Sequence, residues 1–184
     1  MEPRRPRPAP PLDPARLEEL ALAYVARFAT SAARLATYLR RKVRERGWEA
    51  PAEPDLAGLV ARFVASGYID DAGFARSRAE GLRRRGFGDR RVDQALRGAG
   101  IAEEHRAAAR GDAAAARTAA LVLVRKRGFG PFGAEPLDRA RREKQIAAML
   151  RAGHSLDSAR HLVDAGNEAE ALEWASEAAG DRDR

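Results

Sequence analysis

The 184-residue chain contains no cysteine, which excludes a disulfide framework, a thiolate metal centre and a cysteine nucleophile together. Aromatic residues make up only 6% of it. Apolar runs such as Ala119–Val124 fall far short of the roughly 20 apolar residues a membrane-spanning helix needs. No apolar h-region directly follows the opening MEPRRPRPAPP, so no secretory leader is expected, and a cytoplasmic protein that does not engage membranes is expected. Runs that alternate apolar and polar residues, as half-buried strands do, are also scarce.

Basic residues, by contrast, are abundant. The formal net charge is +7 and the pI about 10.6, a balance that suits a polyanionic partner or an acidic protein surface. The charge is concentrated. Residues 76–97 hold eight arginines against Glu80, Asp89 and Asp93, and residues 34–46 hold six basic residues against Glu45. Residues 164–184 reverse the sign, with seven acids against Arg182 and Arg184. A basic body therefore precedes an acidic tail.

From Pro14 onward, Ala, Leu, Arg and Glu dominate and apolar residues recur three and four apart, which predicts an all-α chain without a sheet. Breaks fall at Gly47–Pro54, Gly67–Asp71, Gly86–Asp89, Gly98–Ile101, Gly128–Pro136, Gly153–Ser155 and Gly166–Asn167. Within this pattern lies a repeat. With Ser31, Gly88 and Ser155 as equivalent helix starts, Leu35, Val92 and Ala159 follow at four residues. Tyr38, Ala95 and Leu162 follow at seven, and Leu39, Leu96 and Val163 at eight. One apolar helical face is thus written three times. Val25, Leu82 and Met149 precede the starts by six residues, Leu22, Ala79 and Ile146 by nine, and Arg27, Arg84 and Arg151 by four. The unit is helix, short turn, helix. The starts lie far enough apart for one more helix between pairs, which predicts an elongated array of tandem three-helix units. The expected organisation is a disordered segment 1–11, an incomplete first unit 12–50, a second unit 51–101, a third unit 102–166 with a helical interruption near Gly111, and an acidic tail 167–184 with a short helix. In that tail helix Leu172 and Trp174 are expected on the apolar side.

The adjoining acids Asp70 and Asp71 invite a metal-site or acid–base reading. They equally suit a helix start. Asp70 fits an N-cap that accepts from free backbone N–H groups, and Asp71 fits the first helical position, where negative charge favours the dipole. Ile69 and Phe74 have the spacing of a hydrophobic staple. No EF-hand or HExxH spacing accompanies the acids, and the capping reading is preferred.

Residues 67–101, GYIDDAGFARSRAEGLRRRGFGDRRVDQALRGAGI, resemble the central signature of the RecX family of bacterial recombinase regulators. Gly67, Tyr68, Ile69, Asp70, Asp71, Phe74, Ala75, Gly86, Phe87, Gly88 and Ile101 carry the match. LRAGHSLDSARHLV looks like that family's third unit and ATSAARLATYLRRKV like its first. The resemblance implies a non-enzymatic protein of tandem three-helix repeats without cofactors, acting in recombination and DNA repair. It implies binding to the RecA recombinase and its filament on DNA, inhibition of the filament, and a monomeric state. The positions proposed for the partner, whether RecA filament or single- or double-stranded DNA, are Arg83, Arg84, Arg85, Arg90, Arg91, Arg40, Arg41 and Lys42. The alternative is a helical DNA-binding module that acts without RecA.

Two other patterns carry less. GFGPFG, residues 128–133, formally matches a dinucleotide-binding glycine loop, but Pro131 interrupts it and no further βαβ unit exists; local packing of Phe129 and Phe132 is expected instead. His105, His154 and His161 lack metal-ligand spacing, and no Ser-His-Asp arrangement is suggested.

Overall fold

The computed structural model describes residues 10–180; the expectations for residues 1–9 and for the last acids, 181–184, lie outside the described residues. Ten helices form among the described residues, in the order α1 Pro14–Arg27, α2 Ala32–Arg46, α3 Leu56–Ala65, α4 Asp71–Arg83, α5 Asp89–Arg97, α6 Glu103–Ala108, α7 Ala113–Arg127, α8 Arg139–Arg151, α9 Leu156–Asp164 and α10 Glu168–Gly180. No strand forms among them; Leu12 and Trp48 make an isolated bridge. The fold is all-α. No helix among the described residues is long and apolar enough to cross a membrane.

The helix starts follow from local chemistry. Asp13, Ser31, Asp55, Asp112, Asp138 and Ser155 each accept from a first-turn backbone N–H, filling donors that a helix N-terminus leaves open. The break near Gly111 is real: α6 ends at Ala108 and Asp112 caps α7. At the end of α3, Tyr68 N–H bonds to Phe63 C=O at 2.9 Å and Gly67 N–H to Val64 C=O at 3.0 Å. This is a Schellman motif, and it places Gly67 at φ 75°, a conformation costly for any side-chain-bearing residue.

The chain packs as two compact units divided between Phe74 and Ala75, within α4. In the first, Leu12, Leu17, Ala21, Leu35, Leu39, Leu59, Phe63 and Ile69 form the core. Leu12 precedes the cap of α1 and Leu17 is its fourth residue, the staple arrangement. The first-unit leading helix departs from the repeat pattern. Leu22 is 47% exposed, because α1 turns Leu17 and Ala21 inward and stacks Tyr24 on Tyr38 with ring centroids 4.2 Å apart.

In the second unit, Ala79, Leu82, Val92, Leu96, Ile146, Met149, Ala159, Leu162 and Val163 are buried, as the repeat requires, and Ala95 is half-buried. Phe129 and Phe132 pack against the α7–α9 cluster; the glycine loop follows the end of α7 and forms only the three-residue 3-10 turn Gly130–Phe132, so it opens no α-helix whose N-terminus could hold a pyrophosphate. The tail helix α10 docks on α7 and α9 through Ala171, Ala175 and Trp174. Leu172 is 40% exposed, which corrects the expected face: Trp174 stacks on His161 and lies under the Arg117 guanidinium at 4.5 Å, and that anchoring sets the helix rotation.

The turns of the second and third repeats meet backbone to backbone. Gly88 N–H donates to Ala152 C=O at 2.9 Å and Arg90 N–H to Gly153 C=O at 3.2 Å. The buried His154 ring bonds through Nε2 to Gly86 C=O at 2.9 Å. A carbonyl can only accept, so Nε2 carries a proton. Burial holds the His154 pKa below the ordinary histidine value, against smaller opposing contributions from the Gly86 hydrogen bond and Asp89. The unfolded chain therefore binds the proton more readily than the folded one. Stability is complete above the unfolded value of about 6.5 and declines as pH falls below it, by up to about 1.4 kcal/mol per pH unit while one proton is taken up. A urea midpoint that drops between pH 7.5 and 5.5, and a smaller drop in His154→Phe, are the expected results. Equal drops in both proteins would remove His154 as the cause.

Candidate functional site

The two acids come first, because a reactive site would be built on them. Asp70 Oδ1 accepts from Gly73 N–H at 2.8 Å, capping α4; a Cβ on Gly73 would lie 2.2 Å from Asp70 Oδ2, so the glycine leaves the carboxylate its place over the first turn. Asp71 does something the sequence did not announce. Its Oδ1 accepts from Ala32 N–H at 2.9 Å, where Ala32 is the first residue of α2. One carboxylate thus sits at the start of its own helix and caps another. Ile69 is buried in the first core, whereas Phe74 is half-buried with the Arg34 guanidinium 5.5 Å from its ring centroid.

Both carboxylates are committed to helix N-termini, and among the described residues no group of three or more His, Asp or Glu converges as a metal site would require. Asp70→Ala is expected to cost about 1 kcal/mol. Asp71→Ala is expected to cost about 2 kcal/mol, since it leaves a partly buried N–H without its charged acceptor. Asp71→Asn, which keeps an acceptor oxygen, restores most of that. Urea melts giving the reverse order for the two alanine variants would overturn the assignment.

The basic positions separate by what each side chain touches. Arg83 faces inward: it is 13% exposed, pairs with Asp89 at 2.7 Å and donates to Ala109 C=O at 2.9 Å. It ties α4, α5 and the end of α6 together. Arg84 is exposed, 4.0 Å from Glu80, and Arg90 is exposed. In the first unit, Lys42 and Arg41 both reach Glu45, at 2.7 and 3.6 Å, and both lie over the Tyr38 ring; Arg40 is exposed. The Lys42 hydrogen bond is the main reason the Glu45 pKa is lowered.

Arg85 and Arg91 line a cleft of about 460 Å³ together with Lys126, Arg127 and Arg151, over a floor of Phe87, Leu123, Phe129, Ala148 and Ala152. No acid lines it. Many arginines elsewhere in this unit have a carboxylate partner, among them Arg97 with Asp93, Arg117 with Glu177 and Arg142 with Asp164. Arg85 instead bonds Gly81 C=O and Arg91 bonds the Gln94 side-chain amide. The cleft is assembled from the residues after α4, the first turn of α5 and the last turns of α7 and α8. Lys126 and Arg127 belong to the basic run Arg125–Arg127 and Arg151 to the thrice-repeated arginine; neither pattern placed them beside Arg85 and Arg91, and cations in helix last turns ordinarily complement the dipole.

No protein-family model matches the chain. It is 33% identical over 171 residues to "Regulatory protein RecX" of Myxococcus xanthus (strain DK1622), covering 88% of this chain and 90% of that one. The chain belongs to the RecX family. Two RecX crystal structures share its fold. One, from Lactobacillus salivarius, has a TM-score of 0.64 at 16% identity, covering 79% of this chain and 90% of that one. The other, of regulatory protein RecX, has a TM-score of 0.61 at 17% identity, covering 78% of this chain and 68% of that one. Within this RecX-family chain, the signature residues Gly67, Tyr68, Ile69, Asp70 and Asp71 make the α3–α4 turn and the α2 and α4 caps. Gly86, Phe87 and Gly88 make the α4–α5 turn, and Phe87 lies on the floor of the cleft.

Proposed function

We propose that this RecX-family protein regulates the RecA recombinase by binding its filament on DNA and restraining it, with no reaction of its own. The observation that carries the reading is the basic cleft, where five cations converge with no acid among the described lining residues, on a chain whose family is one of regulators. The commitment of Asp70 and Asp71 to helix N-termini supports it further, since the obvious catalytic pair is already occupied. Arg84 and Arg90 extend the contact surface in this proposal, and Arg40, Arg41 and Lys42 form a second one. Arg83 is assigned a structural part. A protein that binds one filament state more tightly than another shifts the balance toward it, which is how a grip becomes regulation.

Titration into RecA–single-stranded DNA filaments is expected to lower the ATPase rate and strand exchange in a saturable way. No change in either at saturation would end the proposal. A second reading, direct DNA binding, is favoured by the cluster of Phe28, Tyr24 and Tyr38 flanked by Arg27, Arg41 and Lys42, because aromatic and cationic groups together bind single strands. Steep, salt-dependent affinity for bare DNA, undiminished without RecA, would support that reading.

A further inference from the structure

We infer that the basic cleft holds an acidic peptide segment with an apolar residue at its centre, supplied by the protein partner. The inference rests on the reading above only in taking that partner to be a protein; it names the ligand of the same surface.

Charge comes first. The ends of α7 and α8 at the cleft contribute about half a negative charge each. Five full positive charges surround them, so the dipoles absorb only a small part of the field. That excess favours an anionic ligand. Four of the five cations are arginines, whose planar forks pair with carboxylates in two parallel hydrogen bonds.

The floor then distinguishes a peptide from a nucleic acid. Leu123, Ala148 and Ala152 are aliphatic and offer no surface for base stacking. Phe129 packs against the α7–α9 cluster, and Phe87 has the Arg85 guanidinium 5.8 Å from its ring centroid. Neither is an open platform of the kind on which single-stranded bases stack. An apolar floor under a cationic rim instead fits one buried aliphatic or aromatic side chain flanked by carboxylates. A volume of about 460 Å³ falls in the range of pockets that enclose a compact ligand. A nucleic-acid groove tracks a strand over several nucleotides.

The test uses the full chain and fluorescein-labelled Asp-Glu-Phe-Glu-Asp, read by anisotropy. The same peptide with serine at the centre and an oligothymidylate of about 12 nucleotides serve as comparisons. The phenylalanine peptide is expected to bind roughly tenfold more tightly than the serine peptide. Arg127→Glu/Arg151→Glu is expected to weaken it roughly tenfold or more. Arg139→Glu/Arg160→Glu, an equal charge change away from the cleft, is expected to shift it less than about threefold. If the reversed pair lowers the urea midpoint, Arg127→Gln/Arg151→Gln replaces it.

The inference is overturned by no peptide binding at millimolar concentration, by indifference to the central residue, or by equal losses in the cleft and control variants. It is also overturned if the oligothymidylate displaces the peptide and loses its own binding in the cleft variant, which would make nucleic acid the ligand. Filament pelleting with the same variants separates the two claims. Failed peptide binding with intact pelleting sinks the peptide alone, and intact peptide binding with failed pelleting sinks the filament reading.

Discussion

Gly88→Ala is expected to destabilise the protein by about 3 kcal/mol or more, toward the top of the range for overpacked sites. The backbone angle is not the reason, since Gly88 has φ −79°, where alanine is at ease. The cost is steric. A Cβ at Gly88 would lie 2.4 Å from both the C and O atoms of Gly153 and 2.5 Å from His154 N. All three are backbone atoms that cannot rotate aside, and moving them would break the Gly88–Ala152 and Arg90–Gly153 hydrogen bonds. Gly67→Ala is the informative contrast. Gly67 has φ 75° with no heavy atom near its missing Cβ, so only the left-handed backbone penalty applies, about 1 to 2 kcal/mol. Denaturant melts should therefore rank Gly88→Ala well below Gly67→Ala. Similar midpoints would mean that the two turns can separate without cost.

Arg127→Glu/Arg151→Glu is expected to raise the concentration needed to inhibit the RecA ATPase by roughly tenfold or more, and to lower the urea midpoint modestly, because each reversal opposes the dipole at a helix C-terminus. Truncating or reversing charges at a desolvated contact typically costs several kcal/mol of affinity, and both arginines line the cleft. Arg83→Ala should do the opposite. Its guanidinium holds Asp89 and Ala109 C=O in a nearly buried position, so removal strands a carboxylate and lowers stability. Inhibition measured where that variant is still folded should be nearly unchanged. Loss of inhibition by Arg83→Ala with unaltered stability would return Arg83 to the binding surface.

These contrasts mark where local chemistry stops being informative. Helix starts were legible because an N-cap is a matter of three or four adjacent residues: Asp70 with Gly73, Ser31 with Arg34 and Ser155 with Ser158 are all local bonds. The repeated face was legible because Leu35, Val92 and Ala159 recur in step, and all three are buried. Asp71 was half legible. Its place at the first position of α4 follows from its neighbour, but its bond to Ala32 joins residues far apart in sequence. The cleft was the least legible feature. Arg85 and Arg91 stood out in a basic run, while Lys126, Arg127 and Arg151 read as ordinary helix ends until the turns at Gly88 and Gly153 were seen to pack together. Leu22 and Leu172 erred in a related way. Helical period places a residue on a face, but anchoring contacts such as Tyr24 on Tyr38 and Arg117 on Trp174 decide which face turns inward.

Co-sedimentation with RecA filaments, set beside the same DNA without RecA, tests the proposed regulation most directly. The protein should pellet with filaments in a saturable amount well above that carried by bare DNA, and Arg127→Glu/Arg151→Glu should stay largely in the supernatant. Equal pelleting with filaments and bare DNA, or none with either, would contradict the account.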